Sequence, residues 1–436
     1  MNNLQEVLTY TESLCPQCLK VVDARIVVQD GAVYMKKMCP DHGPSMVYVW
    51  PDVNHYNWMR SFRVPFRSPL IERDYSEQCP TSCGLCSLHQ RHSTLVEIEV
   101  TQRCNLRCPV CFMSAEAAPP DPSLDQLESI YTHILEKAGG HTSIQLTGGE
   151  PTIRKDLPEI VRAGREIGFS AIEINTNGLV ISRNPRFLHE LVDAGISGIY
   201  LQFDGLTPEI YSQIRGDDIL TDKLRAIENC RAAGIQVVLA MTVIQGLNHD
   251  QIGAVLEFAL ENLDVIAGVA LQPAFISGRF DVQSSRRLTM GDVIFMLAEQ
   301  TNGLIQPYEM WPLGCSHPLC SCGTQLIQDG DGFVPATRQI TRLEYQDAFD
   351  PHSPQGSIFA DILAHKNGTS APGLSVVVMN YMDAMSMDLA RLKECSMTVS
   401  TDDDRLIPFC AYQVTDISGK RLYPAWIKHA AAPEAA

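Results

Sequence analysis

The sequence predicts an α/β fold: a partial (β/α)6 barrel of the TIM type, with an N-terminal metal-binding knuckle module and a C-terminal cysteine-rich auxiliary-cluster region. Two observations carry this. Between residues 94 and 290, short apolar runs alternate with segments of helical periodicity, as buried parallel strands alternate with covering helices. The 15 cysteines gather in short clusters, most of them outside that stretch.

The 436 residues suggest two or three domains, or one large domain with additions. The expected divisions are 1–60, 61–92, 93–290 and 291–436. Hydrophobic residues make up 45% and charged residues 19%, enough for a sizeable core and against global disorder. A formal net charge of −17 argues against a nucleic-acid partner, which needs a basic face. Met1 to Val7 has neither a basic nor an apolar signal-peptide region, and no run of about 18 apolar residues marks a transmembrane segment. A cytoplasmic protein is expected, in which so many cysteines read as metal ligands rather than disulfides.

In chain order, Cys15-Pro-Gln-Cys18 is answered by Cys39-Pro-Asp-His42. Between them, Val21 to Lys37 is strand-like around an Asp30-Gly31 turn, a hairpin signal. The hairpin brings together three thiolates and His42, a set suited to one mononuclear zinc or rubredoxin-like iron. The alternative is a loop histidine and a distant fourth cysteine. Trp50, Tyr56, Trp58 and Phe62, with Arg60, Arg63, Arg67 and Arg73, form a packing segment without evident chemistry. Cys79, Cys83 and Cys86 follow, with His89 and His92 just beyond.

The barrel strands are expected at Thr94–Val100, Thr142–Leu146, Ala171–Asn175, Gly198–Phe203, Gln236–Val243 and Ala267–Leu271. Helices between them include Leu124–Leu135 and Asp156–Ile167, the latter with a capping Asp and an early Pro158. In such barrels chemistry sits at the C-terminal strand ends. Cys104, Cys108 and Cys111 follow the first strand, and Gly148-Gly149-Glu150 follows the second. Three thiolates within eight residues can hold three irons of a cubane and leave the fourth open. The alternative is a zinc knuckle. Cys230, alone in a helical segment, reads as a buried, inert thiol.

The Cys-x3-Cys-x2-Cys spacing followed by Gly-Gly-Glu resembles the radical SAM superfamily. That resemblance implies a [4Fe–4S] cluster whose open iron chelates S-adenosylmethionine, and reductive cleavage to a 5′-deoxyadenosyl radical. It implies that Gly148 and Gly149 let backbone approach the methionine amino group, and that Glu150 holds the turn or accepts from the amine. Asn175, Asn177 and Gln202 would contact ribose hydroxyls or the carboxylate. Asp204 and Arg215 would help to hold substrate or S-adenosylmethionine. Since Cys79, Cys83 and Cys86 repeat the spacing without the nucleoside-binding elements, they are read as ligands of an auxiliary [4Fe–4S] cluster, with zinc the alternative. Four of the five late cysteines can ligate another cluster: Cys315, Cys320, Cys395 and Cys410. Cys322 is then spare, or the missing ligand of the 79–86 site, and zinc is again the alternative. His89, His92 and His317 are acid–base candidates only by nearness to cysteines.

The order of all these cysteine motifs resembles the group containing tetraether lipid synthase and the methylenetetrahydrofolate-dependent (class D) radical SAM methyltransferases. It implies carbon–carbon bond formation at an unactivated carbon of a small-molecule or lipid substrate, methyltransferase-like in the first instance. The alternatives are lipid-chain coupling and peptide maturation. An electron donor such as ferredoxin or flavodoxin is implied as well.

Overall fold

The computed structural model describes residues 6–63, 66, 68–69, 79–113, 120–284, 286–348 and 373–423. Arg67 and Arg73 lie outside the described residues. The first 50 residues form an antiparallel four-stranded meander, β1 (Val7–Leu14), β2 (Val21–Gln29), β3 (Ala32–Cys39) and β4 (Gly43–Trp50). Asp30 and Gly31 make the β2–β3 turn, both at positive φ (51° and 78°), which the right-handed twist of a two-residue hairpin demands.

The six expected barrel strands form, each within two residues of its predicted bounds: β5 (Leu95–Thr101), β7 (Ser143–Gly148), β8 (Ile172–Thr176), β9 (Gly198–Gln202), β10 (Val237–Val243) and β11 (Ile266–Pro273). A two-residue β6 (Val110–Cys111) sits inside the cysteine loop. The six are parallel and hydrogen-bonded in chain order. Val96, Ile98, Val100, Ile144, Leu146, Ile172 and Ile174 are buried in the main core, under helices such as Leu124–Ala138 and Leu157–Ile167. The first of these helices carries a Ser123–Gln126 capping box. Asp156 does not cap the second, because its carboxylate is taken by Arg154, whose Nε donates to it at 2.9 Å.

A half-barrel leaves two strand edges that must be covered. The region after residue 290 covers both. On the β11 side, β13 (Trp311–Pro312), β14 (Ser321–Asp329), β15 (Gly332–Pro335) and β16 (Gly373–Met379) continue the same sheet, β16 parallel to β11. On the β5 side, β17 (Met397–Ser400) runs parallel to β5 and β18 (Leu406–Pro408) closes the row. One further pair, β12 (Arg279–Phe280) with β6, clamps the cysteine loop.

The meander is docked on this C-terminal region by buried polar contacts. Lys37 Nζ donates to Ser13 Oγ (3.1 Å), the Leu14 carbonyl (2.7 Å) and the Ala384 carbonyl (2.9 Å). Thr11 Oγ1 donates to Asp388 (2.6 Å). Lys37→Met would leave two buried carbonyls without their donor. It is expected to cost about 1–3 kcal/mol, seen as a lower thermal midpoint of the metal-loaded protein. An unchanged midpoint would mean that Lys37 does not hold the meander in place.

Candidate functional site

The C-terminal ends of the barrel strands open into a cavity of about 660 Å³. Cys104, Cys108 and Cys111 line it together with Gly148, Gly149, Glu150, Asn175, Asn177 and Gln202. Burial pushes the Cys108 thiol up, and the nearby Cys111 adds to this. Cys104 in turn feels the charges of Glu150, Cys108 and Cys111. The three sulfurs thus line one cavity and act on one another electrostatically, and a metal cluster bridging them would relieve that repulsion. This donor set fits an iron–sulfur cluster.

The loop carrying them is held through its carbonyls. Arg279 Nη1 donates to Cys108 O (2.9 Å), Arg215 Nη1 to Val110 O (3.2 Å), and Arg421 Nη2 to Phe112 O (2.8 Å) and Met113 O (3.0 Å). Asp281 N donates to Pro109 O at 2.9 Å.

Gly148 and Gly149 also answer a need of the chain itself. A Cβ on Gly148 would lie 2.0 Å from Thr101 O, and one on Gly149 2.1 Å from Arg103 O. Gly149 N donates to Thr101 O (2.8 Å) and Glu150 N to Arg103 O (2.9 Å). The backbone they admit is the root of the chain's own cysteine loop. Glu150, almost wholly buried, braces the neighbouring strand end. It accepts from Thr152 N (3.1 Å), Thr176 Oγ1 (2.7 Å) and Asn177 N (2.7 Å). Asn177 reaches back to the cysteine loop, Nδ2 to Asn105 Oδ1, at 2.7 Å.

Asp204 lies fully buried behind the cavity. Both its oxygens accept from Arg215, at 2.7 and 2.8 Å, and Oδ1 also accepts from Thr242 N at 3.1 Å. Asp204 therefore acts through Arg215 on the loop carbonyl of Val110, a positioning role. Gln202 is likewise committed, donating to Asp204 and accepting from Lys223 Nζ (2.8 Å). Burial lowers the Lys223 ammonium to about 7.

In the meander, Cys15, Cys18, Cys39 and His42 bring their ligand atoms within 4.8 Å of one another. His42 Nδ1 is 3.6 Å from Cys15 Sγ and 3.5 Å from Cys39 Sγ. Tetrahedral zinc with Zn–S of about 2.3 Å and Zn–N of about 2.0–2.1 Å puts N and S about 3.6 Å apart. The predicted set is therefore assembled, His42 included, and fits a structural zinc.

Cys79, Cys83 and Cys86 also converge. Contact with Cys79 and burial push the Cys83 thiol up, with a further contribution from Cys86. Tyr423 OH accepts from Cys83 N at 2.7 Å. Of the late cysteines, Cys395, Cys410 and Cys320 act on one another electrostatically, and Cys315 feels Cys320. The Arg391 guanidinium touches Cys320 Sγ at 3.3 Å. Cys322 has no exposure and sits in the main core, its thiol pushed up by burial. Cys230 is buried as expected. His89 bonds the Cys395 carbonyl through Nε2 (2.8 Å), and His317 Nδ1 accepts from Leu319 N (3.1 Å). Both are loop braces.

Sequence reasoning missed the rest of the cavity. Phe112, Phe275, Tyr381 and Phe409 form an aromatic wall with centroids 4.7–6.3 Å apart. Their positions are scattered along the chain and leave no local pattern. Deeper in, Glu97, Gln145, Tyr200 and Gln272 are polar residues on barrel strands that line the same cavity. Burial pushes the Glu97 carboxyl up to about 8, and Glu99 adds to it. A signal existed here: in Leu95-Val-Glu-Ile-Glu-Val-Thr101 the charges alternate with apolar residues, which aims both carboxylates at one face.

The family profile described as the Radical SAM superfamily matches residues 98–259, and that of the HMPTM N-terminal zinc ribbon domain matches residues 7–51. The chain is 32% identical over 469 aligned residues to the 7,8-dihydro-6-hydroxymethylpterin dimethyltransferase of Methanocaldococcus jannaschii, covering 92% of each chain. A segment is 32% identical over 180 residues to the GTP 3′,8-cyclase of Chlorobaculum tepidum, covering 41% of this chain and 53% of that one. Among solved structures, Streptococcus suis SuiB bound to S-adenosylmethionine aligns over 48% of this chain and 47% of that chain, at 17% identity and a TM-score of 0.41. No helix among the described residues is long and apolar enough to cross a membrane.

Gly149→Ala is expected to displace the cysteine loop. Anaerobically purified protein should keep its zinc and lose at least about half of the iron bound at this site, since the added carbon meets backbone that cannot yield as a side chain would. Iron and zinc counts at wild-type levels would contradict the role given to this glycine.

Proposed function

The chain belongs to the radical SAM superfamily, and from that premise we propose that it methylates a small heterocycle of the 7,8-dihydro-6-hydroxymethylpterin type. The observation that carries this reading is the match to a dimethyltransferase along 92% of both chains, which takes in the zinc ribbon, the barrel and the C-terminal region together. A cavity of about 660 Å³ with an aromatic wall and a polar floor suits a bicyclic ring.

In this reading Cys104, Cys108 and Cys111 hold the [4Fe–4S] cluster to which S-adenosylmethionine binds, and Cys15, Cys18, Cys39 and His42 hold zinc. Cys79, Cys83 and Cys86 hold one auxiliary cluster, and Cys315, Cys320, Cys395 and Cys410 another. When bound, the loop cluster supplies the electron that cleaves S-adenosylmethionine and so starts hydrogen-atom abstraction.

The protein's own part is geometric. Arg215, Arg279 and Arg421 fix four loop carbonyls, and Asp204 fixes Arg215. Phe112, Phe275, Tyr381 and Phe409 exclude water from the cavity and offer ring faces to a planar substrate. Tyr381 borders this wall and also lies in the field of Cys395 and Cys410. This nearness supports a route for electrons between the C-terminal sulfurs and the substrate. A ferredoxin or flavodoxin would be the external donor.

The test is anaerobic turnover of reconstituted protein with S-adenosylmethionine, a reductant, a methylene-folate one-carbon donor and 7,8-dihydro-6-hydroxymethylpterin, read by mass spectrometry. The expected products are 5′-deoxyadenosine and a pterin heavier by one or two methyl groups, both lost in Cys108→Ala. Formation of 5′-deoxyadenosine with the pterin unchanged in mass would refute the substrate assignment.

A further inference from the structure

The floor of the cavity holds two buried acceptors that have no donor. Glu97 on β5 is 3% exposed, and its Oε2 has no hydrogen-bond partner. Asn175 Oδ1, on β8, is also buried and unpartnered. The amide donors nearby are turned to other partners. Asn175 Nδ2 donates to Gln145 Oε1 (3.3 Å), and Gln145 Nε2 donates to Glu173 Oε2 (2.9 Å). Strand register sets this row, with Glu97 opposite Gln145 and Gln145 opposite Glu173. Gln272 Nε2, on the far side, is taken by Tyr200 OH at 2.8 Å. Buried acceptors without donors cost free energy, so a ligand that brings N–H groups to this floor gains what the empty protein lacks.

We propose that Glu97 and Asn175 form the recognition edge for the 2-amino-4-oxopyrimidine half of a pterin, with the ring plane held by the Phe112, Phe275, Tyr381 and Phe409 wall. The edge of such a ring carries a ring N–H beside an exocyclic amino group, two parallel donors that match a carboxylate and would favour ionised Glu97 against the burial that pushes it up in the empty cavity. Asn175 Oδ1 is a further acceptor for the amino group. The aromatic wall favours a planar ring over a saturated chain. This rests on the pterin reading above and names the residues that would enforce it.

The experiment compares two fluorescent ligands, 6-hydroxymethylpterin and its 2-oxo counterpart 6-hydroxymethyllumazine, titrated anaerobically into metal-loaded protein. The 2-oxo group turns a donor into an acceptor that faces the carboxylate. Wild type is expected to prefer the pterin by at least about tenfold, because a site built to pair a polar group rejects the analogue that cannot pair. In Glu97→Gln, whose amide can donate to the 2-oxo oxygen, the preference should fall below about threefold or invert. If Glu97→Gln keeps the wild-type preference, this inference is overturned while the pterin reading stands. Wild type that binds both ligands equally overturns it too, without any need for a folded variant. Wild type that binds neither ligand overturns the pterin reading and this inference with it.

Discussion

Three sulfurs on one loop can serve a single cluster only if the loop's backbone cannot move, and here that backbone is clamped from every side. The root of the loop lies against Gly148 and Gly149, so close that a methyl group would sit about 2 Å from a carbonyl oxygen. Arginines from three separate elements take the carbonyls farther on. One of these, Arg215, is itself locked by a bidentate buried pair with Asp204. Removing either partner of that pair would leave a buried charge uncompensated, a loss of about 3–5 kcal/mol. The cysteines are thus the visible part of a site whose stiffness comes from glycines, arginines and one hidden aspartate.

The same logic explains the C-terminal region. An open half-barrel exposes two strand edges, and residues after 290 cap both with parallel and antiparallel additions. This brings β16 and β17, and the turns around them, to the rim of the cavity, so that Tyr381, Met397 and Phe409 line it beside barrel residues. Structural closure and construction of the aromatic wall are therefore one event. It also sets Cys410, next to Phe409 in the chain, against the backbone that follows Tyr381, where its Sγ accepts from Met382 N at 3.3 Å.

Much of this was legible in the sequence where the determinant is local. Buried parallel strands are short apolar runs between turn residues, and all six lie within two residues of expectation. The zinc ligands were readable because knuckle spacing and an Asp-Gly turn together dictate where four side chains meet. What could not be read are the relations between distant parts. That the Gly-Gly pair also makes room for the chain's own Thr101 and Arg103 carbonyls is such a relation. Asp204 reads as a ligand contact, but it lies fully buried behind Arg215, which itself lines the cavity. The aromatic wall draws on residues 112, 275, 381 and 409, which no window joins. Glu97 and Glu99 are visible in the alternation of β5, and the meaning of Glu97 emerges only with the cavity it lines.

The central claim is that the Cys104, Cys108 and Cys111 loop is where S-adenosylmethionine meets iron. It is tested most directly by electron paramagnetic resonance of the anaerobically reduced protein, with and without S-adenosylmethionine, in wild type and Cys108→Ala. A [4Fe–4S] signal that shifts on adding S-adenosylmethionine in wild type, with the shift absent in Cys108→Ala, is the result predicted. A shift that persists in Cys108→Ala would place S-adenosylmethionine at another cysteine cluster and contradict the account.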